Sequence, residues 1–74
     1  MKVIIGNVYK FVYLHYGTPD LHPDYTAHSG QRVRVRRMLV PPECDAENAM
    51  RSFEIEARDG WRGIADISEL QSGR

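Results

Sequence analysis

The stretch Ser52–Leu70, SFEIEARDGWRGIADISEL, decides the fold. Phe53, Ile55 and Ala57 alternate with Ser52, Glu54, Glu56 and Arg58, the period of a half-buried strand. Asp59-Gly60 supplies the residues that a tight type I′ turn favours, and so predicts a hairpin. With those two residues alone in the turn, Arg58 faces Trp61, Ala57 faces Arg62 and Ile55 faces Ile64. That register places both isoleucines on the inner face and Trp61 on the outer one, beside Arg58. Gly63 then lies opposite Glu56, where a glycine marks a bulge or a close backbone approach. After Asp66 the alternation ends, and Ser68-Glu69-Leu70 predicts one helical turn that returns Ile67 and Leu70 to the core.

Upstream, Gln31–Leu39 reads as the antiparallel partner of this hairpin. Val33 and Val35 point inward while Arg32, Arg34 and Arg36 point outward. Arg37 breaks the alternation, which predicts a bulge or the end of the strand there. The order strand, loop, strand, Asp-Gly turn, strand and helical turn over Val33–Leu70 resembles the Src-homology-3-like small barrels. The resemblance implies a single all-β barrel of about five antiparallel strands, with a short helical turn near the C-terminus. It is nearly silent on function, because that superfamily includes peptide readers, nucleic-acid-associated domains and structural modules. The peptide readers' tryptophan pair and Pro-x-x-Tyr element have no counterpart here: Trp61 stands alone and no proline follows it. The stretches Tyr25–Gln31 and Asp59-Gly60-Trp61 also resemble stretches of short bacterial and phage proteins that carry no known activity.

A chain of 74 residues has room for one domain, expected over residues 1–70 with a frayed tail at 71–74. Its 42% hydrophobic content is that of a globular rather than a disordered chain. No apolar run approaches the roughly 20 residues of a membrane helix, and MKVIIG is too short for a signal peptide. A single cysteine, Cys44, agrees with a reducing compartment, so a cytoplasmic location is expected. Cys44 follows two prolines in an acidic loop and has no basic neighbour to activate it, so a bystander thiol is expected.

Met1–Ile5 is apolar enough for a strand before the Gly6-Asn7 turn. Val8–Tyr16, VYKFVYLHY, is the most β-prone run, and both of its alternating sets contain apolar side chains. Of the alternating set Val8, Lys10, Val12, Leu14 and Tyr16, Val12 and Leu14 are assigned to the core. Val33, Val35, Leu39, Phe53, Ile55, Ile64, Ile67 and Leu70 complete it. Gly17–Ser29 reads as a long loop and Pro41–Arg51 as a second one, with a helical turn capped by Asp45.

Three candidate sites follow. His15, Asp20, His22, Asp24 and His28 are metal-ligand types, but their spacing matches no zinc pattern, so no metal or other cofactor is expected. No serine or cysteine nucleophile is arranged with a base, and no glycine-rich phosphate loop follows a strand, so an enzyme is not expected. The leading expectation is a non-catalytic protein-interaction module with an unknown protein partner. Tyr13, Tyr16, Tyr25 and Trp61 would anchor the partner, with His22 and His28 at the rim. Equally, Trp61 would simply cover the sheet.

The alternative is nucleic-acid binding through Arg32, Arg34, Arg36 and Arg37. Against it, Glu54 and Glu56 on the neighbouring strand should neutralise those arginines, and ten basic residues are balanced by ten acidic ones. The balance is uneven along the chain, with six basic residues against two acidic in 1–40 and four against eight in 41–74. A third reading is a structural subunit of a larger assembly, whose aromatics a neighbour would bury. No membrane partner is expected, and the chain would be a monomer or a weak homo-oligomer.

Overall fold

A computed structural model describes residues 2–14, 22–44 and 46–72 of the chain. Five antiparallel strands form one sheet in the order β4-β3-β2-β1-β5. These are β1 (Val8–Phe11), β2 (Arg32–Met38), β3 (Ser52–Ala57), β4 (Arg62–Asp66) and β5 (Leu70–Gln71). A 3-10 turn over Ile67–Glu69 carries the chain directly from β4 at one edge to β5 at the other. That short crossing requires the sheet to curl, and the result is a half-barrel with its apolar side chains on the concave face. The all-β expectation, with about five antiparallel strands and a helical turn near the C-terminus, is therefore met.

β2 and β3 form the centre. Val33 pairs with Ala57 and Val35 with Ile55, and these four are buried together. A register shift between Val35 and Arg37 leaves Arg36 as the bulged residue, one position earlier than expected, and the strand continues to Met38. Past the bulge Met38 pairs with Phe53, and Leu39, just beyond the strand, is buried.

The β3–β4 hairpin differs from the expected register by one residue. Its loop is Arg58-Asp59-Gly60, closed by the Ala57 amide donating to the Trp61 carbonyl at 2.8 Å. Gly60 alone takes the left-handed conformation, with φ of 92°, in the three-residue loop that ends in a glycine bulge. Glu56 thus pairs with Arg62, Ile55 with Gly63 and Glu54 with Ile64. One residue of slip exchanges the two faces of β4. Ile64 is consequently half exposed, at 50%, and Ala65 is in the core in its place.

β1 is also opposite in phase to expectation. Tyr9 and Phe11 are buried, whereas Val8 is exposed, Val12 half-buried and Leu14 44% exposed. Tyr9 tolerates burial because its hydroxyl accepts a hydrogen bond from the Ile4 amide at 2.8 Å. Met1–Ile5 supplies no strand among the described residues. Its chain turns at Ile4–Asn7 and ties to β2 through the Gly6 amide and the Val35 carbonyl at 2.8 Å. Of the remaining expected core residues, Phe53 and Leu70 are buried and Ile67 packs against the cluster in part.

The 3-10 turn is held by a reciprocal cap. Asp66 accepts from the Ser68 amide at 2.9 Å, and Glu69 accepts from the Asp66 amide at 2.9 Å. The other Glu69 oxygen accepts from the Leu14 amide at 3.1 Å. This buried carboxylate therefore links the end of β1 to the crossing between the sheet edges.

Pro23–His28, expected as loop, is a short helix, α1, with proline in its first turn. None of its residues is fully buried. The second loop contains a 3-10 turn over Ala46–Asn48, and its expected cap, Asp45, lies outside the described residues. β5 includes Gln71, paired with Lys10, a residue expected in the tail.

Candidate functional site

The slipped hairpin register decides where Trp61 lies. On a strand, residues two apart share a face, so Trp61 shares one with Gly63 and Ala65. Its ring lies over Gly63 so closely that a Cβ there would sit 2.5 Å from Cη2 and 2.7 Å from Cζ2. Trp61 is therefore half-buried on the inner side, packed against the core, and not on the outer face beside Arg58.

Around it α1 delivers two more rings. Tyr25 meets Trp61 edge-on with centroids 5.0 Å apart and lies 5.3 Å from Tyr13. Phe11 stands 6.3 Å from Tyr13, Tyr25 and Trp61. The Tyr25 hydroxyl accepts from the Ile64 amide at 2.8 Å. That amide belongs to the edge strand β4, so Tyr25 caps an edge that would otherwise offer a donor to a passing strand. One side chain thus spans from β1 to β4.

His28 is the second fastener. Its ring stacks on the Trp61 indole at 4.2 Å with an interplanar angle of 8°. Nδ1 faces the Asp24 carbonyl at 2.7 Å and Nε2 the Asp59 carboxylate at 2.8 Å. Both partners are acceptors, so only the doubly protonated imidazolium satisfies both nitrogens. The Asp24 carbonyl, and next the Asp59 carboxylate, hold the His28 pKa above its ordinary value. Asp59 is lowered in turn, first by His28 and then by the Trp61 amide. A cation over an indole face adds further attraction. His28 was expected to be a solvated rim residue; its side chain is only 12% exposed.

A pH dependence follows with a definite sign. A histidine whose folded pKa is raised binds its proton more tightly folded than unfolded. The stabilisation is fully present below the unfolded value of about 6.5 and is lost as pH rises through the higher folded pKa. A thermal unfolding series from pH 6 to pH 9 should show a falling midpoint that His28→Gln flattens. An unchanged slope in that variant would contradict the arrangement.

Of the six residues expected to bind a protein, Tyr13, Tyr25, Trp61 and His28 form this one cluster. His22 joins it, 5.7 Å from Tyr25, and is exposed at the start of α1. Tyr16 lies outside the described residues. Sequence reasoning missed Phe11 at the base of the cluster and Asp59 as the partner of His28.

The arginine strand behaves differently along its length. Arg36 pairs with Glu56 at 2.8 Å and with Glu54 at 3.7 Å. Arg37 pairs with Glu43 at 2.7 Å and with Glu54 at 3.4 Å. Arg37 holds the Glu43 carboxyl below its ordinary range, and Arg36, followed by Arg62, does the same for Glu56. Arg34 donates to the Gly6 carbonyl, away from the carboxylates. The expected cross-strand neutralisation is thus present at Arg36 and Arg37.

Among the described residues no group of three or more His, Cys, Asp or Glu side chains could hold a metal ion. His15 and Asp20 of the expected set lie outside the described residues. Cys44 is half-buried. Among the described residues, no helix is long and apolar enough to cross a membrane. Compared with known proteins, the chain matches no family model, no curated protein and no solved structure.

Proposed function

We propose that the chain is a non-catalytic protein-interaction module, a small barrel of the Src-homology-3-like kind, whose contact surface is the aromatic face of α1 and the β3–β4 hairpin. The observation that carries this reading is the gathering of Tyr13, Tyr25 and Trp61 into one half-buried cluster with His22 exposed at its edge. Half-buried tyrosine and tryptophan offer a partner large, rigid contact areas that need little further ordering. His28 serves as the internal fastener of that face rather than as a contact. Nucleic-acid binding through the arginine strand is the weaker reading, because Glu43, Glu54 and Glu56 already engage Arg36 and Arg37.

Photo-cross-linking tests the proposal. A photoreactive residue replacing His22 should give a discrete cross-linked protein, and one replacing Arg62 on the outer face should not. Excess unmodified domain should compete the product away, while a Tyr13→Ser domain should compete poorly. Equal cross-linking from both positions would overturn the assignment. So would steep, salt-dependent binding of short oligonucleotides by the unmodified domain.

A further inference from the structure

Helix α1 has only six residues, none fully buried, and is too short to be stable through its own hydrogen bonds. Two of its side chains reach the β3–β4 hairpin. Tyr25 accepts from the Ile64 amide at 2.8 Å, and His28 stacks on Trp61 and meets Asp59 at 2.8 Å. Behind the helix the chain returns at once to β1. The Ser29 hydroxyl accepts from the Tyr13 amide at 2.9 Å, and the Gly30 amide donates to the Phe11 carbonyl at 2.6 Å. Gly30 is left-handed, with φ of 88°, and forms the joint. The helix thus has a fixed end at Ser29-Gly30 and a fastened side against the hairpin.

We infer that α1 is a strap fastened by the His28 proton: when that proton leaves, the helix swings away about Ser29-Gly30 and uncovers the Ile64 amide on the β4 edge. Each ring nitrogen of His28 faces an acceptor, the Asp24 carbonyl at 2.7 Å or the Asp59 carboxylate. A neutral imidazole keeps one N–H, so either tautomer sets a lone pair against an oxygen. Loss at Nε2 turns the link to the hairpin into a repulsion, and loss at Nδ1 does the same to the brace inside α1. Deprotonation also takes the cation off the indole face. Tyr25 stands three residues before His28, on the same side of the helix, so the two side chains leave the hairpin together.

Among the described residues, the charged groups acting on His28 are Asp24 on its own helix and Asp59 in the hairpin loop, while Trp61 presents a neutral ring. Both carboxylates favour the charged imidazole. The strap is therefore closed below the free value of about 6.5 and opens as pH rises through the higher folded pKa. As regulation of the proposed contact face, the device rests on that reading, because opening parts Tyr25 from Trp61; the opening itself requires no partner.

The test is amide hydrogen exchange of the intact domain from pH 6 to pH 9, corrected for the intrinsic base-catalysed rate. Ile64 should lose protection several-fold more than Gly63 and Ala65, whose amides face β3 in the ladder. In His28→Gln the protection of Ile64 should no longer follow pH. Should that variant fail to fold, the native comparison of Ile64 with its two neighbours still decides. Tyr25→Phe should leave Ile64 weakly protected at every pH, because the acceptor is gone. Equal loss at all three amides would mean that the whole sheet opens, and would overturn the inference. So would an Ile64 amide whose protection ignores pH. Either result leaves the aromatic-face module standing on its cross-linking, and a failed cross-link leaves the exchange prediction intact.

Discussion

Replacing Phe11 with alanine is expected to cost about 3–5 kcal/mol, enough to leave much of the domain unfolded. Phe11 is fully buried and stands beneath Tyr13, Tyr25 and Trp61 at once. Its removal therefore opens a cavity at the junction of β1, α1 and the hairpin, where no neighbour can collapse without releasing another ring. Small domains have little stability to lose, because much of their surface stays exposed even when folded. Urea unfolding followed by circular dichroism measures the loss. Leu14→Ala, three residues further along the chain, should cost less than about 1 kcal/mol, because Leu14 is largely exposed. The pair of variants reports the strand phase directly: a large cost at Leu14 with a small one at Phe11 would reverse it.

The second large effect is expected at Gly63. A strand glycine changed to alanine ordinarily gains stability, since glycine loses the most chain entropy on folding. Here the new methyl would sit 2.5 Å from the indole, and the indole cannot withdraw. His28 stacks on one of its faces, while Phe11 and Tyr25 lie close by. Gly63→Ala should therefore destabilise by about 1–3 kcal/mol, the range for overpacking a filled site. It should also displace Trp61 from His28, whose rings stack 4.2 Å apart. Unfolding and cross-relaxation between the two rings by NMR would show both changes together. A neutral or stabilising Gly63→Ala would mean that Trp61 lies on the other face.

The centre of the sheet was legible because Val33, Val35, Phe53 and Ile55 alternate cleanly with charged residues, which left one possible inner face. The pairing of Arg36 with Glu54 and Glu56 followed from the same alternation, whereas Arg37 comes opposite Glu54 through the bulge at Arg36. β1 was ambiguous because both of its faces carry apolar side chains. What settles it is the Tyr9 hydroxyl, satisfied by the Ile4 amide at the start of the Gly6-Asn7 turn, a contact that alternation alone does not specify. The hairpin register was lost at a single choice, between a two-residue turn and a three-residue loop ending in a left-handed glycine. Asp-Gly is compatible with both.

A signal for the correct choice was present. Trp61, Gly63 and Ala65 are one large and two small residues on a shared face, the arrangement needed if the indole folds back along its own strand. Taken together they argue for the slip that exposes Ile64. The aromatic face was legible in its membership, since the tyrosines, Trp61 and the histidines were singled out by type. Its construction was not, because the contact between α1 and the hairpin joins residues 31 or more positions apart, as in His28 with Asp59. α1 itself had a usable cue in Pro23, which suits the first turn of a helix as well as it suits a loop.

The account depends most on Trp61 lying on the inner face, where it joins Gly63, His28 and Tyr25 into the proposed contact surface. Proton NMR of the intact domain tests this directly through the ring current and the cross-relaxation of the indole. The predicted result is a Gly63 α-proton shifted strongly upfield, with cross-peaks from the indole to Gly63 and to the His28 ring. An unshifted Gly63 together with indole cross-peaks to the Arg58 side chain would place Trp61 on the outer face and contradict the account.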